Sequence, residues 1–289
     1  MNKIKKWIGY VIFIIAATAF FLYYLFPSET AEKYIAISLR KTNPDLNITI
    51  NQIKPTLPPG LRFRDVSLYY LDNPLLDAEL IKVTPKIISL IRPKTTFFFK
   101  GKAYKGITQG KVDIFGINPT DRIMIEAALT GIQIKDIHAI QNLSDYKISG
   151  ILAGKVSYSN NKGKDLNISA DLNITDSKVD SATPIFSFDS ITFRSIKANM
   201  IFENMRLKIK ECIIKGHQID ASISGLVTKR NPLGESILNL TGTINPHPSL
   251  ITNLGKAFTK ILFPKKKSGK SGFSFRIGGT FDKPSFSWR

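Results

Sequence analysis

Hydrophobic and polar residues alternate along most of this chain. In Leu46-Asn47-Ile48-Thr49-Ile50 the even positions are apolar and the odd ones polar, and Leu166 to Ile174 keeps the same period for nine residues. A period of two is that of a strand with one wet face. Segments of this kind recur at Leu46 to Ile53, Leu61 to Tyr70, Leu80 to Val83, Thr95 to Phe99, Gly110 to Phe115, Arg122 to Thr130 and Ile148 to Ser159. They continue at Leu166 to Ile174, Phe186 to Phe193, Met205 to Cys212, Ile219 to Leu226, Ser236 to Ile244 and Phe273 to Ile277. Strands this numerous, joined by short polar turns, leave no room for the helical crossovers of a parallel α/β domain. The expected fold is mainly β: a long, strongly twisted, antiparallel-rich sheet, either an open trough or a sheet folded over on itself, with fourteen or more strands and a few short helices.

Three stretches break the period. From Trp7 to Phe26 there is no charged residue, and twenty helical residues rise about 30 Å, the thickness of a bilayer core. The pattern predicts one transmembrane helix over 7–26. Lys3, Lys5 and Lys6 before it put residues 1–6 in the cytoplasm and 27–289 on the far side. A cleaved leader ending near Ala17-Thr18-Ala19 is the competing reading of this stretch. Ser28 is placed to cap a helix from Glu29 to Lys41, which Asn43-Pro44-Asp45 would end. A short helix is expected at Ile134 to Leu143. An amphipathic helix at 249–263, between Pro248 and Pro264, precedes the basic run Lys265, Lys266, Lys267 and Lys270 and could lie on an anionic membrane surface or cap the sheet.

Composition narrows the function. The 289 residues are 43% hydrophobic, enough for a packed domain, and the formal net charge is +19. That charge favours anionic partners, yet Lys and Arg are spread singly along the strands, as on solvated faces, and no nucleic-acid partner is expected. Cys212 is the single cysteine, so no intrachain disulfide can form. His138, His217 and His247 lie far apart and in no metal-ligand spacing. Asp65, Asp72, Asp77, Asp113 and Asp136 could meet, but turn and edge positions account for them. The Asn-x-Ser/Thr sequons at Asn47, Asn142, Asn167, Asn173 and Asn239 fall mostly on polar strand positions and receive no role. No catalytic, cofactor-binding or metal-binding residue is assigned, and no enzyme is expected.

Glycines inside strand text, in Gly150-Ile151-Leu152-Ala153-Gly154 and Leu240-Thr241-Gly242-Thr243-Ile244, mark bends, bulges or close backbone approach. Together with Pro58-Pro59-Gly60-Leu61-Arg62-Phe63-Arg64-Asp65-Val66-Ser67-Leu68 and the closing Ile277-Gly278-Gly279-Thr280-Phe281-Asp282-Lys283-Pro284, they carry a likeness. The chain resembles the type II secretion system protein N family, itself similar to AsmA-like inner-membrane proteins. That resemblance implies a single-pass inner-membrane protein with a periplasmic β domain. It would be an accessory to type II secretion acting through contacts with other secretion components, or a module that binds or transfers phospholipid in an apolar groove.

Overall fold

The computed structural model describes residues 2–71, 73–116, 122–141, 146–161, 165–185, 188–248 and 272–288, with the side chains of 2–5, 15, 19, 22, 42, 146, 161, 165, 181–185 and 188–189 left aside. Helix α1 (Asn2–Tyr24) leads into α2 (Ser28–Thr42), and fourteen strands follow. They are β1 (Leu46–Thr56), β2 (Gly60–Tyr70), β3 (Asn73–Pro85), β4 (Lys94–Ala103), β5 (Gly106–Phe115), β6 (Arg122–Gln133) and β7 (Tyr146–Asn161). The second half holds β8 (Asp165–Ile185), β9 (Phe188–Glu203), β10 (Arg206–Gly216), β11 (Ile219–Thr228), β12 (Ile237–Pro246), β13 (Phe273–Gly279) and β14 (Pro284–Trp288). All fourteen form one antiparallel sheet in which spatial order equals chain order, so every strand pairs only with its sequence neighbours. The sheet is open.

The accessible surface measures this openness. A compact monomer of 32.3 kDa exposes about 12,300 Å². This chain exposes 19767 Å², and among the described residues no second layer of structure lies over most of the sheet. The main buried cluster lies where α2 packs on the first strands: Ile50, Ile53, Val66, Ala78 and Ala103, with Phe26, Ala31 and Ile35 from the helical end against them.

The transmembrane expectation is corrected. Helix α1 begins at Asn2, so its first turns carry Lys3, Lys5 and Lys6, and it stops at Tyr24, two residues short of the expected Phe26. Gly9, Tyr10, Thr18, Tyr23 and Tyr24 interrupt the apolar text that remains, whereas a span calls for about 20 predominantly apolar residues. Among the described residues no helix is long and apolar enough to cross a membrane. The single-pass topology, the cytoplasmic and periplasmic assignments, the inner membrane as partner, and the two functions that rest on an anchored chain, a secretion accessory and a carrier of lipid between membranes, therefore do not hold.

Smaller corrections concern the other interruptions. Ser28 is the first residue of α2 rather than its cap: Pro27 holds the cap position and no side chain bonds there. In place of one helix at Ile134 to Leu143 there is a 3₁₀ turn at Ile134–Asp136 and one helical turn, α3 (His138–Gln141). The expected helix at 249–263 and the basic run to Lys270 lie outside the described residues, as do Asp72 and Asn142.

Candidate apolar binding face

Register makes the alternation of separate strands into one surface. Cross-strand partners carry their side chains on the same face. One row of direct partners starts at Ile53 in β1 and runs through Phe63, Ile81, Gly101, Thr108 and Leu129 to Gly154 in β7. It continues through Leu172, Ala198, Cys212, Ile223, Gly242 and Phe275 to Trp288 in β14. A second unbroken row, two residues along each strand, begins Pro55, Leu61, Val83, Phe99 and ends Gly225, Leu240, Ile277, Phe286. Neither row contains a charge. At about 4.8 Å between strands, they cover about 60 Å from β1 to β14.

Bulges keep this face apolar where the sequence loses its period. Ile209 and Cys212 are three residues apart, which would put them on opposite faces. The extra residue in β10 opposes two steps of β11, Gly225 to Ile223, and returns both to the same side. In β6 the step from Leu129 to Ile132 opposes Gly154 to Leu152, with Gly131 at φ +69° supplying the left-handed residue a bulge uses. In β8, Asp176 at φ +50° has the same place.

Glycine within the rows is filled from the side. A Cβ on Gly242 would come within 2.6 Å of the Phe275 ring, and one on Gly110 within 2.8 Å of the Phe99 ring. The aromatic ring of the next strand lies over each bare backbone, so these glycines level the face rather than bend it. Gly150, in contrast, sits beside the β7–β8 register shift as the sequence suggests.

Most residues of the rows are half-buried; Ile53, Gly101 and Phe275 are fully buried. Beyond the α2 end, no described helix packs across the face: the main helix–sheet contacts among the described residues are those of α1 and α2 with β1 and of the short turns with β3, β4 and β7. Two charge-free rows with no described helix across most of their length make this face the candidate binding surface.

The titratable residues picked out in the sequence form a separate arrangement. Asp65, Asp77 and Asp136 do come together, with Glu79, Tyr104 and His138, around a cleft of about 350 Å³. His138 Nδ1 is 3.6 Å from Asp77 Oδ2, and Lys105 Nζ is 3.2 Å from Asp136 Oδ2. The Asp77 N–H donates to the Tyr104 hydroxyl at 2.8 Å. Burial raises the Tyr104 pKa, partly opposed by that hydrogen bond. Among the described residues no group of three His, Cys, Asp or Glu side chains could hold a metal ion.

Asp113 is not at a turn or an edge but buried in β5. Thr96 Oγ1 donates to it at 2.7 Å and Lys94 Nζ lies 3.0 Å away. Burial pushes its pKa up, and the bonds from Thr96 and Lys94 with the charges of Lys94 and Lys111 overcome that and hold it low. No sequence signal marks it, because its closest partners, Thr96 and Lys94, come from the neighbouring strand β4. Cys212 lies in the apolar row between Ala198 and Ile223, and burial raises its thiol pKa. His217 and His247 meet at the β10–β11 and β12 ends: His247 Nδ1 is 3.0 Å from the His217 carbonyl, and its Nε2 is 3.4 Å from Asp220.

Comparison with known proteins gives no match to a protein family, to a curated protein or to a solved structure.

Proposed function

We propose that this chain acts by binding rather than catalysis, and that its apolar sheet face receives an extended, hydrocarbon-rich ligand. The observation that carries the reading is the pair of charge-free rows running through all fourteen strands with, among the described residues, no layer over most of them. A lone apolar face in water costs about 25 cal/mol per Å² relative to a covered one, so a hydrocarbon laid along it gains what the sheet leaves unclaimed. The motif resemblance to AsmA-like proteins supports an elongated open sheet as the working part. The reading requires no membrane anchor.

The test is a fluorescence titration of the full chain with 11-dansylaminoundecanoate. Saturable binding with a blue-shifted emission supports the reading. Ala127→Trp and Ala170→Trp, which fill the second row without adding charge, are then expected to weaken binding by about tenfold, the equivalent of about 1.4 kcal/mol. Far-UV circular dichroism checks that the sheet is intact. Absence of saturation, or binding unchanged in both folded variants, overturns the proposal.

A further inference from the structure

The opposite face of the first four strands has a different regularity. Lys54 of β1 is directly opposite Arg62 of β2, Arg62 opposite Lys82 of β3, and Lys82 opposite Lys100 of β4. Four basic residues thus form one ladder at right angles to the strands. Arg64 and Lys102, each two residues along from a ladder member, share the face and are joined in register through Leu80. Lys54, Arg64, Lys100 and Lys102 are exposed; Arg62 and Lys82 are half-buried. Among the described residues none of the six forms an ion pair, although Lys94, Lys105, Lys111, Lys178 and Lys215 elsewhere in the sheet all do. Asp65 and Glu79 are the acidic residues of these strands nearest in sequence to the ladder, and neither pairs with it.

Like charges directly opposite each other on adjacent strands destabilise a sheet. Three successive repulsive pairs therefore weaken the free protein, and only an anionic partner compensates them. We propose that this ladder is the docking surface for an acidic α-helix of a partner protein. The ladder repeats about every 4.8 Å, and a helix presents one side chain per turn on a given face about every 5.4 Å. Over three steps the two differ by about 2 Å, which long Lys and Arg side chains absorb. Beyond Lys100 the same face sinks into a depression of about 580 Å³ lined by Phe98, Lys111, Ala128 and Lys155 among others. Phe98 is 47% exposed there. An apolar side chain at the end of the acidic row would find its anchor at that point, the combination that concentrates affinity in protein interfaces.

The experiment uses the full chain and a synthetic alanine-based helix of about 18 residues with one glutamate per turn on a single face. A peptide of the same composition with its glutamates spread around the helix is the control, and affinity is read by fluorescence anisotropy. The one-faced helix is expected to bind about tenfold more tightly than the control, with binding weakened as salt rises toward 0.5 M through screening. Arg62→Glu with Lys82→Glu is expected to abolish it. Lys82→Glu alone, which replaces two repulsive pairs by attractive ones, is expected to raise the thermal midpoint while lowering peptide affinity. That opposite movement separates loss of a docking site from loss of the fold. Equal affinity for the two peptides, or a fall in thermal midpoint with Lys82→Glu, overturns the proposal. So does ladder-dependent binding of anionic phospholipid vesicles or of single-stranded oligothymidine when the one-faced helix fails to bind.

Discussion

The ring of Phe275 covers the bare backbone of Gly242, with its Cζ 2.6 Å from where a Cβ on residue 242 would stand. The Ser222 carbonyl closes the same space. Gly242→Val therefore has to displace a buried ring and a paired strand. A loss of about 1–3 kcal/mol is expected, measured by urea denaturation. Gly278→Ala is the contrast, since its Cβ would meet the Ser285 hydroxyl at 3.1 Å and the Leu238 carbonyl only at 4.0 Å, and a smaller loss is expected.

Asp113 gives a pH prediction. Its folded pKa is lowered, so its contribution is present above the unfolded value of about 3.9 and is lost as pH falls through the folded one. Asp113→Asn is expected to cost about 1.5–3 kcal/mol at neutral pH, the range for hydrogen bonds to a charged group. The gap between variant and natural chain should close in acid, as read by denaturation at a series of pH values.

Tyr104 titrates at the other end of the scale. Burial raises its folded pKa; the stability it contributes is complete below the unfolded value of about 10 and disappears as pH rises through the folded value. Tyr104→Phe leaves the Asp77 N–H without its acceptor, so a loss of about 1 kcal/mol is expected near neutrality. The variant should also have a flatter stability profile in alkali, which a pH series of thermal melts would show.

Cys212 reports on the apolar face. Its raised pKa keeps thiolate scarce, and thiolate is the reactive form. Labelling by a disulfide reagent at pH 8 should be more than about tenfold slower than in the denatured chain. Bound dansylaminoundecanoate should slow it further if the ligand runs across the row that holds Cys212.

Much of the sheet is legible in the sequence, because alternation is a local property. Leu166 to Ile174 announces β8 without help from any other residue. Boundaries were less legible: β3 extends from Asn73, well before the Leu80 at which its pattern becomes clear, and β14 is too short and begins with Pro284. The apolar rows depend on register, which no single strand encodes. Ile209 and Cys212 look out of phase until the bulge in β10 is placed against β11. The repulsive ladder was hidden for the same reason, since Lys54, Arg62, Lys82 and Lys100 look like scattered surface charges until they are paired. At the N-terminus the apolar run extends to Phe26, but the helix ends at Tyr24.

Because spatial order repeats chain order from β1 to β14, each strand requires only its predecessor to find its place. Apart from the long connection of residues 247–272 between β12 and β13, pairing can proceed largely by closing short loops one after another, the kind of contact that forms fastest. Stability then behaves as a sum of neighbouring junctions, as in repeat proteins. Such a sheet has no built-in length: a hairpin duplicated or deleted within it would change the length of its apolar rows while leaving the remaining junctions as they are.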